Sequence, residues 1–210
     1  FHSTSDTEIL LHLYLKYGIE RLPEKLNGMF GICICDLRKH MMYLLRDRVG
    51  IKPLYYTVTE ERFAFASELK SFLGLNDFKR ELDTNAFLEN LTFFKPLNNI
   101  LFKNVEQVEP GQMLAVNLTD FHMKKVTYWD VNSYVRPEDT KQSKEFYKEA
   151  MQEKLWESVN RQKLCDTKIG CQLSGGVDSS VVTYVASKTG NNSLKDSISV
   201  VFDGEEAGYS

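Results

Sequence analysis

Apolar residues recur at helical spacing near the start of the chain, at strand spacing through its middle, and at helical spacing again before a closing strand–turn–helix. Ser5-Asp6-Thr7-Glu8 precedes the run Ile9-Leu10-Leu11-His12-Leu13-Tyr14-Leu15, and Gly18 follows Tyr17. That order predicts a helix beginning near Asp6 and stopping before the glycine. From Asn27-Gly28 the period changes: Met29 to Cys35 and Met41 to Leu45 read as strands, and Asp36 to His40 as the turn of a hairpin. Another short strand follows Pro53, and Phe63 to Ala66 is the next. Ser67 or Glu68 opens a short helix through Phe72. A further helix runs from Asp83 to Phe94, with Asp83 or Thr84 as cap and Pro96 as stop. After Pro110-Gly111, Gln112 to Asn117 is a strand, Thr119-Asp120 a turn, and a last strand leads toward Trp129.

The second half has a different plan. Residues 130–143 lose apolar content and collect Asn, Ser, Pro, Asp, Thr and Lys, the composition of a linker. From Lys144 to Arg161 the apolar positions Phe146, Tyr147, Ala150, Met151, Leu155 and Val159 suit one long amphipathic helix. It leads to an apolar strand, Ile169 to Leu173, then Ser174-Gly175-Gly176-Val177-Asp178, a helix over 179–188, a loop at Gly190-Asn191-Asn192-Ser193, and a second strand, Ile198 to Phe202. Strand, helix and strand with a right-handed crossover make a parallel pair. The expected class is therefore α+β followed by α/β. Two parallel strands neither cover both faces of a sheet nor close a nucleotide pocket, so residues 144–210 read as the truncated start of a larger domain.

Composition narrows the partners. With 42% hydrophobic residues in 210, the chain has the means for a core. A net charge of -3 and a pI near 5.9 give no reason to expect nucleic acid or an anionic membrane as a general partner. No apolar run approaches the ~18 residues of a membrane span, and Phe1-His2-Ser3-Thr4 lacks the features of a signal peptide, so a cytoplasmic protein is expected. Cys33, Cys35, Cys165 and Cys171 do not follow zinc-ligand spacing. Reduced, packed thiols are expected, with Cys33 and Cys35 on one face of a strand and Cys171 in the buried strand before the glycines. His12 lies in an apolar run with no nucleophile near it in sequence, which favours a packed or rim role.

The chemistry concentrates at Ser174 to Ser180. A glycine turn between a strand and a helix head offers free amides and a partial positive charge, where a phosphate is satisfied. A Walker A loop requires a lysine here, but Val177 and Asp178 stand in its place. A carboxylate repels phosphate unless a cation lies between them, so Asp178 implies a magnesium ion shared with nucleotide phosphates. The alternative is that Asp178 or Ser179 merely caps the helix and the glycines form an ordinary turn. Likewise, Arg46-Asp47-Arg48-Val49-Gly50-Ile51-Lys52-Pro53 reads as a turn held by local salt bridges of little energetic worth.

Ser174-Gly175-Gly176-Val177-Asp178-Ser179-Ser180 resembles the pyrophosphate loop of N-type ATP pyrophosphatases, which adenylate a substrate and release pyrophosphate. The resemblance implies that Ser174, Gly175, Gly176, Asp178, Ser179 and Ser180 hold the β and γ phosphates of ATP, with Mg2+ on Asp178. Leu173 and Val200 match positions whose backbones contact the adenosine. Six blocks along the chain resemble, in order, the glutamine-hydrolysing asparagine synthetases: S-D-T-E-I-L-L at 5–11, N-G-M-F-G at 27–31, R-D-R-V-G-I-K-P-L-Y-Y at 46–56, F-A-S-E-L-K at 65–70, V-E-P-G at 108–111 and L-S-G-G-V-D-S-S at 173–180. By that resemblance, residues 1–129 form the C-terminal portion of an N-terminal-nucleophile glutaminase domain, an antiparallel sandwich. Residues 130–143 link it to the first strand–helix–strand of a parallel-sheet ATP pyrophosphatase domain at 144–210.

The resemblance further implies that glutamine, aspartate and ATP are the small-molecule substrates, and it admits a homodimer. Ammonia from glutamine passes through an internal tunnel to aspartate adenylated by ATP. Asp6 matches the aspartate that binds the α-amino group of glutamine, although its local context also suits a plain N-cap. The Arg46-Asp47 block takes a structural role. The family's nucleophile is an N-terminal cysteine, whereas this sequence opens with Phe1, and the motifs completing the glutamine and aspartate pockets are missing. The expectation is that these residues alone hydrolyse no glutamine and form no asparagine. Two other readings stand beside the ligase: a related amidotransferase or β-lactam-synthetase-like enzyme with another acceptor, and a non-catalytic truncated protein.

Overall fold

The computed structural model describes residues 2–3, 5–93, 100–136, 138, 141–165, 167–188, 194 and 196–200. The chain divides into two compact units, Phe1–Val135 and Arg136–Ser210. In the first, α1 (Asp6–Lys25) opens on Ser5, whose hydroxyl accepts from Thr7 N at 3.2 Å. Gly18, at φ 73°, breaks it into two arms. The first arm ends where the glycine predicts. The second, residues 19–25, escapes sequence reading because a glycine and a proline, Pro23, lie close together there, yet Ile19 and Leu22 on it are buried.

The strands follow as β1 (Gly31–Asp36), β2 (Met41–Arg46), β3 (Tyr55–Val58), β4 (Phe63–Ala66), β5 (Glu106–Gln107), β6 (Gln112–Asn117) and β7 (Met123–Thr127). A 3-10 turn, Leu69–Gly74, and α2 (Thr84–Phe93) lie between β4 and β5. Asp83 caps α2 by accepting from Asn85 N and Ala86 N. The Pro96 stop and the expected last residue, Phe94, lie outside the described residues. β1 and β2 form the predicted hairpin, with Asp36 paired to Met41, and the order β1-β2-β6-β7 makes one antiparallel sheet. β4-β3-β5 makes a second antiparallel sheet.

Strand alternation decides the layers. Tyr43 and Leu45 point to one face of the four-stranded sheet and pack with Met113 and Ala115 against Tyr14, Ile19 and Leu22 of α1. Met42 and Leu44 point to the other face and pack with Leu114 and Val116 against Leu54, Tyr56 and Val108, beside the second sheet. On the far side of that sheet, Tyr55, Ala64 and Ala66 meet Phe72, Phe78 and Val105. The unit is thus mixed α/β, with two antiparallel sheets face to face. Cys33 and Cys35 are exposed, contrary to the packed thiols expected. They do share a face of β1, but β1 is an edge strand of its sheet.

The block at 46–56 is no salt-bridged turn. Arg46 and Asp47 are both buried, and their partners are backbone groups. Arg46 donates to the carbonyls of Lys52 (2.8 Å), Gly50 (2.8 Å) and Val108 (2.9 Å). The Asp47 carboxylate accepts from the amides of Phe30, Ile51 and Lys52 at 2.9–3.2 Å. Burial raises this carboxyl's pKa, but the amides of Lys52, Ile51, Phe30 and Val49 together outweigh it and leave the pKa below the ordinary carboxylate value. Gly111, at φ 66°, donates to Asp47 O, and a Cβ on it would lie 2.4 Å from Trp129 O. Three of the sequence blocks, at 27–31, 46–56 and 108–111, therefore meet in one buried polar knot.

In the second unit, α3 (Lys144–Gln162) is capped by Ser143, which accepts from Phe146 N at 3.1 Å. β8 (Gly170–Gln172), α4 (Val177–Lys188) and β9 (Asp196–Ile198) follow, and β8 and β9 pair in parallel as predicted. Several expectations need correction. Within the stretch 130–143, Asp130 caps a short 3-10 turn at Val131–Tyr134. α4 starts at Val177, two residues early, because glycine-turn geometry already supports helical bonds such as Ser180 N to Gly176 O at 3.1 Å. β9 begins at Asp196, while Phe202 and the loop 190–193 lie outside the described residues. Cys171 is half-buried with Gly170 and Gln172 exposed on either side, so β8 is not the buried strand expected. Among the described residues of this unit only Lys163, Val185 and Ala186 are buried, which also leaves Phe146 and Met151 of α3 exposed.

Candidate functional sites

Asp6 stands in the first turn of α1, exposed to solvent. It is not the cap: Ser5 fills that position, so the Asp6 carboxylate is left projecting beside the helix's positive end. Its Oδ1 accepts from Thr7 Oγ1 at 3.4 Å. The next carboxylate, Glu8, is committed to the chain itself. It accepts from His2 N, Ser3 N and Ser3 Oγ, each at 2.7 Å, with His12 Nε2 at 3.6 Å. The Ser3 hydroxyl, and after it the His2 amide, hold the Glu8 pKa down at about 2. His12 is a rim histidine on the surface of α1.

In the second unit the glycine segment is neither strand nor helix interior. Leu173 N extends the β8–β9 ladder to Ile198 O at 2.9 Å, and its carbonyl accepts from Ser199 Oγ at 2.6 Å. Gly175 then turns to φ 82°, a conformation that favours glycine, and the space a Cβ would enter there holds no atom within 4 Å. Glycine is needed for the bend, and the open side is free for a ligand. Ser179 ties the loop: its hydroxyl lies 3.0 Å from Ser174 Oγ, accepts from Ser174 N at 3.3 Å and donates to Gly176 O at 3.0 Å. Ser180 Oγ donates to the same carbonyl at 2.8 Å. Neither Asp178 nor Ser179 is an N-cap: both lie within the first turn of α4, where amides have no intrahelical acceptor.

The geometry brings Leu173, Ser174, Gly175, Gly176, Asp178, Ser179 and Ser180 into one turn. Val200, 80% exposed, follows Ser199 at the same C-terminal end of the parallel pair. Asp6 belongs to the other unit. Ser199 escaped sequence reading because its partner, Leu173, is 26 positions away and no local spacing signals the contact. Asp178 is exposed and carries the only carboxylate of the loop segment 173–180. Among the described residues no group of three or more His, Cys, Asp or Glu is placed to hold a metal. A single carboxylate at a helix N-terminus suits magnesium whose other ligands are phosphate and water, and does not suit a protein-caged ion. No described helix is long and apolar enough to cross a membrane.

Comparison with known proteins gives two adjoining family matches. The glutamine amidotransferase domain family matches residues 1–129, and the asparagine synthase family matches residues 150–210. Asparagine synthetase [glutamine-hydrolyzing] 1 of Bacillus subtilis is 38% identical over 212 residues, covering 100% of this chain and 32% of that protein. A putative asparagine synthetase [glutamine-hydrolyzing] 2 of Methanocaldococcus jannaschii is 33% identical over 96% of this chain and 39% of its own length. The amidase chyE of Penicillium rubens is 33% identical over 87% of this chain and 26% of its own. The chain spans about a third of the length of these curated relatives. It belongs to the glutamine-hydrolysing asparagine synthetase family, with a glutamine amidotransferase domain over residues 1–129 and asparagine synthase sequence over residues 150–210.

Proposed function

We propose that this chain is part of an ATP-dependent amide ligase that hydrolyses glutamine to ammonia, adenylates aspartate with release of pyrophosphate, and forms asparagine. The observation that carries this reading is the succession, in one chain, of a glutamine amidotransferase match and an asparagine synthase match whose glycine turn opens α4. In this reading the exposed Asp6 carboxylate receives the α-ammonium of glutamine. The turn at Ser174 to Ser180 takes the β and γ phosphates of ATP on the amides of α4, and the Ser174, Ser179 and Ser180 hydroxyls rotate away from their internal partners to meet them. The backbones at Leu173 and Val200 flank the adenosine at the C-terminal edge of the parallel pair, the side of such sheets where ligands collect. Asp178 would hold magnesium together with the phosphates, and the ion would neutralise charge developing there.

For the 210 residues by themselves we propose neither half-reaction. They span about a third of the length of the curated relatives they match. A cytoplasmic setting belongs to the same reading.

The test uses the full-length gene product. Pyrophosphate release that requires both ATP and aspartate is expected, and release only with a different acceptor would replace the aspartate reading. That second reading is favoured by the amidase relatives. Absence of release with any acceptor would favour a non-catalytic protein. Asp178→Ala should abolish magnesium-dependent adenylation while leaving the thermal unfolding profile unchanged, because the residue is exposed. Full adenylation by that variant would refute the metal-holding role.

A further inference from the structure

Residues 2, 3 and 5 are joined to the first turn of α1 by a series of hydrogen bonds. Glu8 Oε1 accepts from His2 N, and Glu8 Oε2 accepts from both Ser3 N and Ser3 Oγ, all at 2.7 Å. Ser3 Oγ in turn accepts from Ser5 N at 3.2 Å, and Ser5 Oγ accepts from Thr7 N at 3.2 Å. Thr7 Oγ1 donates to Asp6 Oδ1 at 3.4 Å. The spacing Ser5-x-x-Glu8 is that of a capping box, in which the glutamate reaches back to the cap's own amide. Here it reaches further. Glu8 holds residues 2 and 3, and Ser3 serves the Ser5 amide in its place. Both oxygens of Glu8 are thereby occupied by donors of the chain, whereas the Asp6 carboxylate faces solvent.

We propose that Glu8 is the positioning residue of the glutamine site. Through Ser3, Ser5 and Thr7 it fixes the turn on which Asp6 is presented, so that Asp6 meets the α-ammonium of glutamine in one orientation. This inference rests on the reading of Asp6 given above. Two neighbouring carboxylates thus divide the work by their surroundings: one is tied to the Ser3 hydroxyl and the His2 and Ser3 amides and holds the scaffold, and the other is exposed to solvent as the ligand's counter-charge. Glutamine at position 8 keeps the side-chain length but offers one acceptor where two are needed, and it turns an N–H2 donor toward either His2 N or the Ser3 donors. Asp6 then samples several orientations, and the loss falls on glutamine binding.

The experiment compares Asp6→Asn, Glu8→Gln and Glu8→Asp in the full-length gene product, using glutamine hydrolysis and, as a folding control that bypasses glutamine, ammonia-driven pyrophosphate release. Asp6→Asn should raise KM for glutamine by about 10- to 100-fold, the scale of one charge-assisted hydrogen bond. Glu8→Gln should raise it by about five- to tenfold with kcat nearly unchanged, the scale of losing one capping interaction. Glu8→Asp, which retains the charge, should recover part of that loss. Should Asp6→Asn raise KM while Glu8→Gln leaves it at the parent value, the positioning role is wrong and the Asp6 reading survives. An unaltered KM in Asp6→Asn overturns both. A Glu8→Gln protein that loses ammonia-driven release in proportion to glutamine hydrolysis shows a general folding role and also overturns the proposal.

Discussion

Asp47 is 1% exposed and accepts from three backbone amides, while its neighbour Arg46 donates to three backbone carbonyls. Each charged group saturates main-chain groups of a loop that has no regular ladder of its own, and an unpaired buried donor or acceptor is costly. Asp47→Asn replaces one acceptor oxygen with a donor facing other donors, and should cost about 1–3 kcal/mol for each amide left unpaired, read as a lowered urea midpoint. The pKa of Asp47 is depressed in the fold, so its contribution is fully present above the ordinary aspartate pKa of about 4 and is lost as pH falls through the folded value. Wild-type stability should therefore decline below about pH 4, and less steeply in Asp47→Asn. Asp36 and Glu106, also depressed, keep part of the decline in the variant. Arg46 and Asp47 are adjacent and of opposite charge, which in sequence suggests a surface ion pair. Only the positions of Val108 and Phe30, far along the chain, reveal that the two residues serve backbone groups instead.

At the scale of elements, the two arms of α1 differ in what makes them helical. The first has a capped start and an apolar stripe, and it is legible from local sequence. The second, residues 19–25, contains Pro23 and follows Gly18 at φ 73°, so its local preferences oppose it. It forms because Ile19 and Leu22 enter the cluster built on Tyr43, Leu45 and Met113. Leu22→Ala, at a fully buried position, should cost about 2–5 kcal/mol and lower the helical signal of the folded chain near its melting temperature. The same mutation at Leu15, 71% exposed on the first arm, should change stability by no more than about 0.5 kcal/mol. The glycine turn before α4 lies at the other extreme. Its bend needs only Gly175, at φ 82°, and the serines around it, all within seven residues. That is why the turn could be recognised without knowledge of its neighbours.

For the whole molecule, the two units differ in how much they bury. β2 and β6 are covered on both faces, whereas all three residues of β9 are exposed. Hydrogen exchange should therefore find the β2 and β6 amides protected far longer than those of β8 and β9, and equal protection would show that the second unit gains cover in solution. The hairpin, the strand at Gln112–Asn117, the parallel pair and the glycine turn were determined by sequence alone. Alternation, caps and turn residues act between positions a few residues apart, and nothing distant needs to be known to read them. The exposure of Cys33 and Cys35, the second arm of α1, the reach of Ser199 to Leu173 and the knot joining three sequence blocks were decided by tertiary structure. Tyr128 reaches the Arg46 carbonyl across 82 positions, and Arg46 reaches Val108 across 62. Burial and hydrogen-bond satisfaction depend on which surfaces meet, and the spacing of residues along one chain does not carry that information.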